Sequence, residues 1–548
     1  MVGGGGRNDR SAHCSAQLLV GNMNQALGNV AGAKSTDDLP FDDHPELIFG
    51  LVGPIGVDLE SVTEELFDAL RSVGYDSQVF RITDLMREVD VGLPLDGTRY
   101  VESFQQRIDY ANKVREQLGR NDAMAILAIS AIRQFRARTG GTVEQPLSKR
   151  AYIIRQFKRP EEIKLMRAVY GRQFVQVSAY APQSYRKRRI TVKESQSMKR
   201  LGSNSDAENA ANTLVKQDEM EADKGHGQNV RDAFPLADVF VEAPDRKSCK
   251  DTIDRFIRAL FGANHVSPTH DEYGMYLAKT ASLRSSALTR QVGAAIFHAS
   301  GEVASLGCNE VPKAGGGTYW SGDQGDQRDF VTGRDPNDEK KRELVADFID
   351  RMLRMGRLSK EKCGNKDALG LADEWLADSS SYGLKESKVM DLIEFGRDIH
   401  AEMSAISDAA RNGVPISGAT LYCTTFPCHL CAKHIVAAGI KRVVSVEPYP
   451  KSYAEELHSD SIEIDGDGKS LRVNFERFLG VSPFRYRELF EKGKRKYSTG
   501  EAQRWNLGVR KPMIDVIFPS YFQAETHMVS LLEPRLEALK QKQQKRTP

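Results

Sequence analysis

What this 548-residue sequence lacks narrows its class before any motif is weighed. It has no charge imbalance: 77 Lys and Arg stand against 75 Asp and Glu, so nothing global argues for a polyanionic partner. It has no disulfide framework. Of seven cysteines, Cys14, Cys249, Cys308, Cys363 and Cys423 are scattered without regular spacing, which fits a reducing compartment. It has no apolar run long enough to span a bilayer, and its first residues lack the basic-then-apolar layout of a secretory leader. The expectation is a cytoplasmic protein with no membrane partner. A chain this long also exceeds what one core can serve, so two or three domains are expected.

Residues 1–42 are rich in Gly, Ser, Asn and Asp with little apolar periodicity, and they are expected to form a disordered leader. Ordered structure is expected from about Glu46, where the apolar run 47–53 reads as a buried strand. The turn Pro54-Ile55-Gly56 follows, then a helix over 59–73 and a strand over 77–82. Strand, Gly-rich turn, helix and strand open a P-loop fold. The phosphate-cradling pattern would need a second glycine, then Lys, then Ser or Thr, where this chain has Asp58, Leu59 and Glu60. Two carboxylates and no lysine argue against ordinary nucleoside triphosphate hydrolysis. Gly53 and Gly56 then either retain nucleotide binding or serve the tight turn alone. Strand, helix and strand over 151–154, 159–170 and 173–179 resemble the second half of nucleoside-monophosphate kinases. In such kinases the basic cluster Arg186-Lys187-Arg188-Arg189 and the polar stretch to about residue 224 occupy the place of the lid. The helix and strand within 227–241 and the helix 245–261 complete a domain expected over 43–262.

A second domain is expected over 263–535. Helices over 270–281 and 285–289 precede strands at 291–297 and 303–306, and Gly307-Cys308-Asn309-Glu310-Val311-Pro312 follows. Residues 313–397 read as an insertion, Gly- and Asp-rich at first and then mainly helical. Past Tyr449, further helical and loop segments are expected, including 474–478 and 486–496, with a strand at 513–518 and a basic tail over 536–548.

The stretch 400–449 carries the chemistry. His400-Ala401-Glu402 opens a helix over 398–411. A strand over 419–426 leads through Pro427 into a second helix bearing Cys428 and Cys431, which Gly439 closes before the strand 442–447. One histidine and a Cys-x-x-Cys supply three ligands suited to a zinc ion whose fourth position is open to water. A structural zinc site would need a fourth protein ligand, for which His429, His434 or Cys423 could be proposed. Glu402, two residues from His400, is placed to handle protons beside the ion. H-x-E followed by P-C-x-x-C is the signature of zinc-dependent nucleobase deaminases.

From Arg284 to Tyr449 the chain resembles the deoxycytidylate deaminase branch of the cytidine deaminase superfamily, on RQVGAAIF, GCNEVP, HAEMSAI, TTFPCHLCAKHIVAAGIKRVV and the Glu447–Tyr449 strand end. The resemblance implies a three-layer α/β/α domain, with His400, Cys428 and Cys431 as Zn2+ ligands and Glu402 as proton shuttle. It also implies Asn309 as a deoxyribose contact, Tyr449 near the base and Arg290 toward phosphate. Fusion to a degenerate P-loop kinase-like domain resembles the bacterial anti-phage dCTP deaminases. That further implies an α/β protein of two parallel-rich domains, dCTP or dCMP as substrate, a homo-oligomer, and an inhibitory small RNA or other regulator as partner. Two rival expectations are a deaminase of cytosine or adenosine in DNA or RNA, and a nucleotide- or partner-sensing protein with the deaminase as its output. The absence of a dense Lys/Arg run beside His400 or Cys428 disfavours the polymer substrate.

Overall fold

The computed structural model describes residues 42–197, 204–219, 221, 225–359, 361, 363–378, 380, 383–466, 468–492, 497, 505, 510–514 and 521–544. The expected leader therefore lies outside the described residues, apart from residue 42. The same holds for most of the strand expected at 513–518 and for the last four residues of the tail.

Two six-stranded sheets organise the chain. In the first, β1 (Leu47–Val52) is buried at every position because it lies in the middle, paired in parallel with both β3 (Arg150–Phe157) and β4 (Phe174–Tyr180). A strand covered on both faces reads as a continuous apolar run. Between β1 and β3 in the chain come α1 (Leu59–Ser72), β2 (Asp76–Arg81), α2 (Tyr100–Leu118) and α3 (Ala123–Gly140). Asp58 caps α1 by accepting from the Ser61 N–H, and Leu59, Val62, Leu66, Ala69 and Leu70 form its buried stripe. β2 pairs with β3, and β5 (Val239–Glu242) pairs with β4, both in parallel. The parallel order is therefore β2-β3-β1-β4-β5. Helix α4 (Pro160–Tyr170) crosses from β3 to β4. The polar stretch expected in the lid's place is a pair of helices, α5 (Gln183–Ser197) and α6 (Asn204–Glu219). Helix α7 (Arg246–Leu260) follows β5.

The second sheet is preceded by α8 (His270–Ser282), whose Thr269 cap and Glu272 form a reciprocal capping box. Its strands are β6 (Gly293–Phe297), β7 (Val303–Cys308), β8 (Thr420–Thr425), β9 (Arg442–Glu447), β10 (Ile462–Ile464) and β11 (Val473–Arg477), in the order β10-β11-β9-β8-β6-β7. β6 runs antiparallel to both neighbours, and the rest pair in parallel. The insertion carries α9 (Pro336–Arg354) and α10 (Ala368–Ala377), joined through a small apolar core of Val345, Ile349, Leu371 and Ala372.

Three expectations are corrected. Residues 285–289 are not helical: the Ser286 N–H and hydroxyl both donate to Glu310 Oε2, which holds this segment as a loop. Residues 474–478 are not helix or loop for most of their length but belong to β11, which needs β9 beside it to be seen as a strand. The span expected to run as one domain to residue 535 does not stay on the second sheet. Gly480–Val481 (β12) pairs antiparallel with β5 of the first sheet, and Val481, Leu489, Ile514, Tyr521, Phe522 and Leu532 join its cores. Helices α13 (Tyr521–Ser530) and α14 (Glu533–Gln544) follow. The physical reason is apolar area: α3 is buried without a break over residues 123–129 and again at Ile132, and α13 packs into the same core.

A fully buried charge cluster fixes this return. Arg136 donates to Glu46 and to both carboxylate oxygens of Glu525, while the hydroxyls of Tyr152 and Tyr521 donate to Glu46 and that of Tyr170 to Glu525. Among the described residues, no helix is long and apolar enough to cross a membrane.

Candidate metal centre and its pocket

Two helix N-termini converge beside β8. His400 caps α11 (Ala401–Arg411), and Cys428 caps α12 (His429–Ala437), where its sulfur accepts from the Cys431 N–H at 3.4 Å. The reading that placed both pairs at helix starts is thus met in the backbone. Peptide dipoles at such ends favour negative charge, and thiolates in particular. The ligand atoms of His400, Cys428 and Cys431 all lie within 4.8 Å of one another. His400 Nδ1 is 3.3 Å from each of the two sulfurs. Around a tetrahedral ion with ordinary Zn–N and Zn–S bonds that edge would be about 3.6 Å, so the three donors stand nearly where zinc would hold them.

The residues weighed for a fourth ligand do not join them. Among the described residues, the grouping of possible metal donors at this place comprises His400, Cys428 and Cys431. Cys423 is fully buried in β8 with its sulfur toward the Val444 carbonyl. His429 packs edge-on against Tyr453, and His434 is exposed on the second turn of α12. Three protein donors with a fourth position left open is the arrangement of catalytic rather than structural zinc.

Glu402 lies one helical step inside. It is 4% exposed, and the Cys431 sulfur is 3.5 Å from its Oε2. Burial pushes its carboxyl above the ordinary carboxylate range, an effect that the neighbouring His400 only partly offsets. The two cysteines share charge unequally. Hydrogen bonds from Cys431 and His400 hold Cys428 down at about 4, whereas Cys431, beside that charge and Glu402, is pushed well above the usual thiol range. His400, facing the Cys428 thiolate, is raised to about 9. A cation held by His400, Cys428 and Cys431 would offset the negative charge gathered on the sulfurs, with Glu402 beside Cys431 rather than among the donors.

Asn309 is buried and fully occupied. Its Oδ1 accepts from the Val292 N–H at 2.7 Å, and its Nδ2 donates to the Arg290 carbonyl at 2.9 Å and faces Asp398 at 3.5 Å. It therefore ties the loop before β6 to the segment that enters α11. Arg290 and Tyr449 are brought together at the rim: the guanidinium lies 5.4 Å from the ring centre and 3.6 Å from Glu447. Gly53 and Gly56 lie in the turn after β1, and Pro54 between them lines one cavity together with Tyr449.

Sequence reasoning missed the wall of the pocket at His400. This cavity of about 110 Å³ is lined by Glu310 and Asp398 and, from the insertion, by Asp329, Asp335 and Asn337. Glu310 is 1% exposed; besides Ser286 it accepts from the Val311 N–H, and its backbone bridges to Ile399. The Asp-rich composition of 314–338 was the available signal, but composition does not say which residues fold back on a site some 70 positions later.

Residues 268–447 match the family described as the cytidine and deoxycytidylate deaminase zinc-binding region. Similar proteins include the deoxycytidylate deaminase of Enterobacteria phage T2, 43% identical over 86 residues, or 15% of this chain and 46% of the relative. The ComE operon protein 2 of Bacillus subtilis is 50% identical over 62 residues, covering 11% of this chain and 33% of its own length. The chain thus spans less than half of these curated relatives. A solved dCMP deaminase of cyanophage S-TIM5, in complex with dCMP and dUMP, aligns over 39% of this chain and 100% of its own at 19% identity. Its TM-score of 0.21 is too low to bear on the fold.

Proposed function

We propose that this chain, whose residues 268–447 carry the deaminase zinc-binding region, hydrolytically removes the amine of a free deoxycytidine nucleotide, giving the deoxyuridine nucleotide and ammonia. The observation that carries the reading is a His/Cys/Cys donor set with a buried carboxyl directly beside it. His400, Cys428 and Cys431 would hold Zn2+, which when bound lowers the pKa of a water and makes it a nucleophile near neutral pH. Glu402 takes the proton released, delivers it to N3 of the base, and passes a second proton to the departing amine. Burial raises the Glu402 carboxyl above the ordinary carboxylate range, which makes it a stronger proton acceptor than a solvated carboxylate. Asn309 would meet the sugar, Tyr449 the base and Arg290 the phosphate. The resemblance to anti-phage dCTP deaminases extends the reading to dCTP and to depletion of the dCTP pool. It likewise suggests a homo-oligomer held in check by a regulator.

A nucleic-acid substrate is the weaker reading. No dense run of Lys and Arg stands beside His400 or Cys428 in the sequence to track the phosphates of a strand. The test is ammonia release by the zinc-loaded protein from cytidine, dCMP, dCTP, CTP and a cytosine oligonucleotide. Turnover of dCMP or dCTP without turnover of the oligonucleotide is expected. Turnover of the oligonucleotide alone would overturn the proposal.

A further inference from the structure

A second cavity, of about 410 Å³, opens beyond the carboxyl ends of β1, β2 and β3 and shares no lining residue with the His400 pocket. Its size falls within the range of pockets that take small ligands, and the carboxyl edge of a parallel sheet is where such ligands bind. Six cationic side chains and three carboxylates line it, an excess of three positive charges in a chain that is otherwise nearly neutral.

The glycine turn at its edge is already filled. Asp218, on α6 and 1% exposed, reaches across so that its Oδ2 accepts from the Ile55 N–H at 2.6 Å. Its Oδ1 meets Lys158 Nζ at 2.5 Å. Lys158 also donates to the Gly53 carbonyl. Backbone N–H and lysine are the two donors that a phosphate would use at such a turn, and one carboxylate takes both. Leu59, where a lysine would be needed, is buried in the core under the sheet. Arg189 pairs with Asp58 and Arg186 with Glu219, which holds the helical pair α5–α6 down over the turn.

The rest of the cavity is not closed in this way. Arg81 and Arg155 share a single acid, Glu60. Arg87 pairs with an exposed Asp96 that does not line the cavity. Arg107 lies over the Phe104 ring, its guanidinium carbon 5.2 Å from the centre, and both residues line the cavity beside Ile108. A wall of guanidinium groups suits phosphate, and a phenyl and guanidinium face beside an aliphatic patch suits a planar base.

The geometry points to a second nucleotide site in this cavity, with phosphate on the Arg81, Arg87, Arg107 and Arg155 wall and the base against Phe104, displaced from the glycine turn that Asp218 plugs. It is independent of the deaminase reading, because none of its lining residues lines the His400 pocket.

Calorimetric titration of the full-length, zinc-loaded protein with AMP, GMP, dTMP and their triphosphates tests it, alongside the nucleosides and inorganic triphosphate. At least one nucleotide is expected to bind with a Kd below about 1 mM, and Arg107→Glu or Arg81→Glu should weaken it by about tenfold or more. Phe104→Ala should weaken nucleotides but not inorganic triphosphate. Three results would each overturn the proposal: no saturation by any nucleotide, binding indifferent to both arginine reversals, or inorganic triphosphate binding as well as every nucleotide. Asp218→Ala addresses the plug, since it frees the Ile55 N–H and Lys158 and should shift preference toward triphosphates. An unchanged preference would contradict it.

Discussion

At the scale of single residues, Asn309 shows how position and role can separate. Its place in Gly307-Cys308-Asn309-Glu310-Val311-Pro312 resembles a sugar contact, yet its amide braces Val292, Arg290 and Asp398. Both roles are compatible if the same brace aims the site. Asn309→Ala would leave the Val292 N–H and the Arg290 carbonyl without their partner, at a cost of about 1–3 kcal/mol in denaturant unfolding. Activity lost with unchanged stability would instead assign the side chain to substrate alone. The metal donors were legible because each lies in a short motif at a helix start, where local sequence fixes local geometry. Cys428 and Cys431 are three apart across one cap, and His400 and Glu402 are two apart across another. Asp218 was not legible. It is a surface-type residue in a polar helix, and its contact with Ile55 spans 163 positions.

At the scale of elements, what the sequence showed depended on how far each element carries its own reasons. β1, β8 and β9 are apolar runs whose flanking turns mark them, and they stand where periodicity places them. β11, with Asn474 and Glu476 alternating against Val473 and Phe475, is five residues long and becomes a strand through its neighbours. Helix α13 belongs to the first sheet's core through Glu525, a tie that no local pattern signals. Glu525→Ala would leave Arg136, itself 0% exposed, with half its compensation. Unfolding free energy should fall by about 3–5 kcal/mol, the range for breaking a buried pair. A loss under about 1 kcal/mol would show the surrounding tyrosines to be sufficient.

At the scale of the whole molecule, the two sheets are stitched rather than strung. β11 of the second sheet leads within three residues to β12 of the first, and Glu272 of α8 accepts from the Val481 N–H while pairing with Arg255. The C-terminal helices then close over the first sheet, so the span that carries the metal centre is enclosed in sequence by elements of the other core. The central claim remains chemical: a metal-assisted deamination in which Glu402 carries the protons. The most direct measurement is ammonia release from dCMP and dCTP by wild type and Glu402→Gln, with the zinc content of both proteins determined on the same samples. Equal zinc with turnover reduced by about a thousandfold or more is expected, because the amide cannot accept the proton. Undiminished ammonia release from a zinc-loaded Glu402→Gln protein would contradict the account.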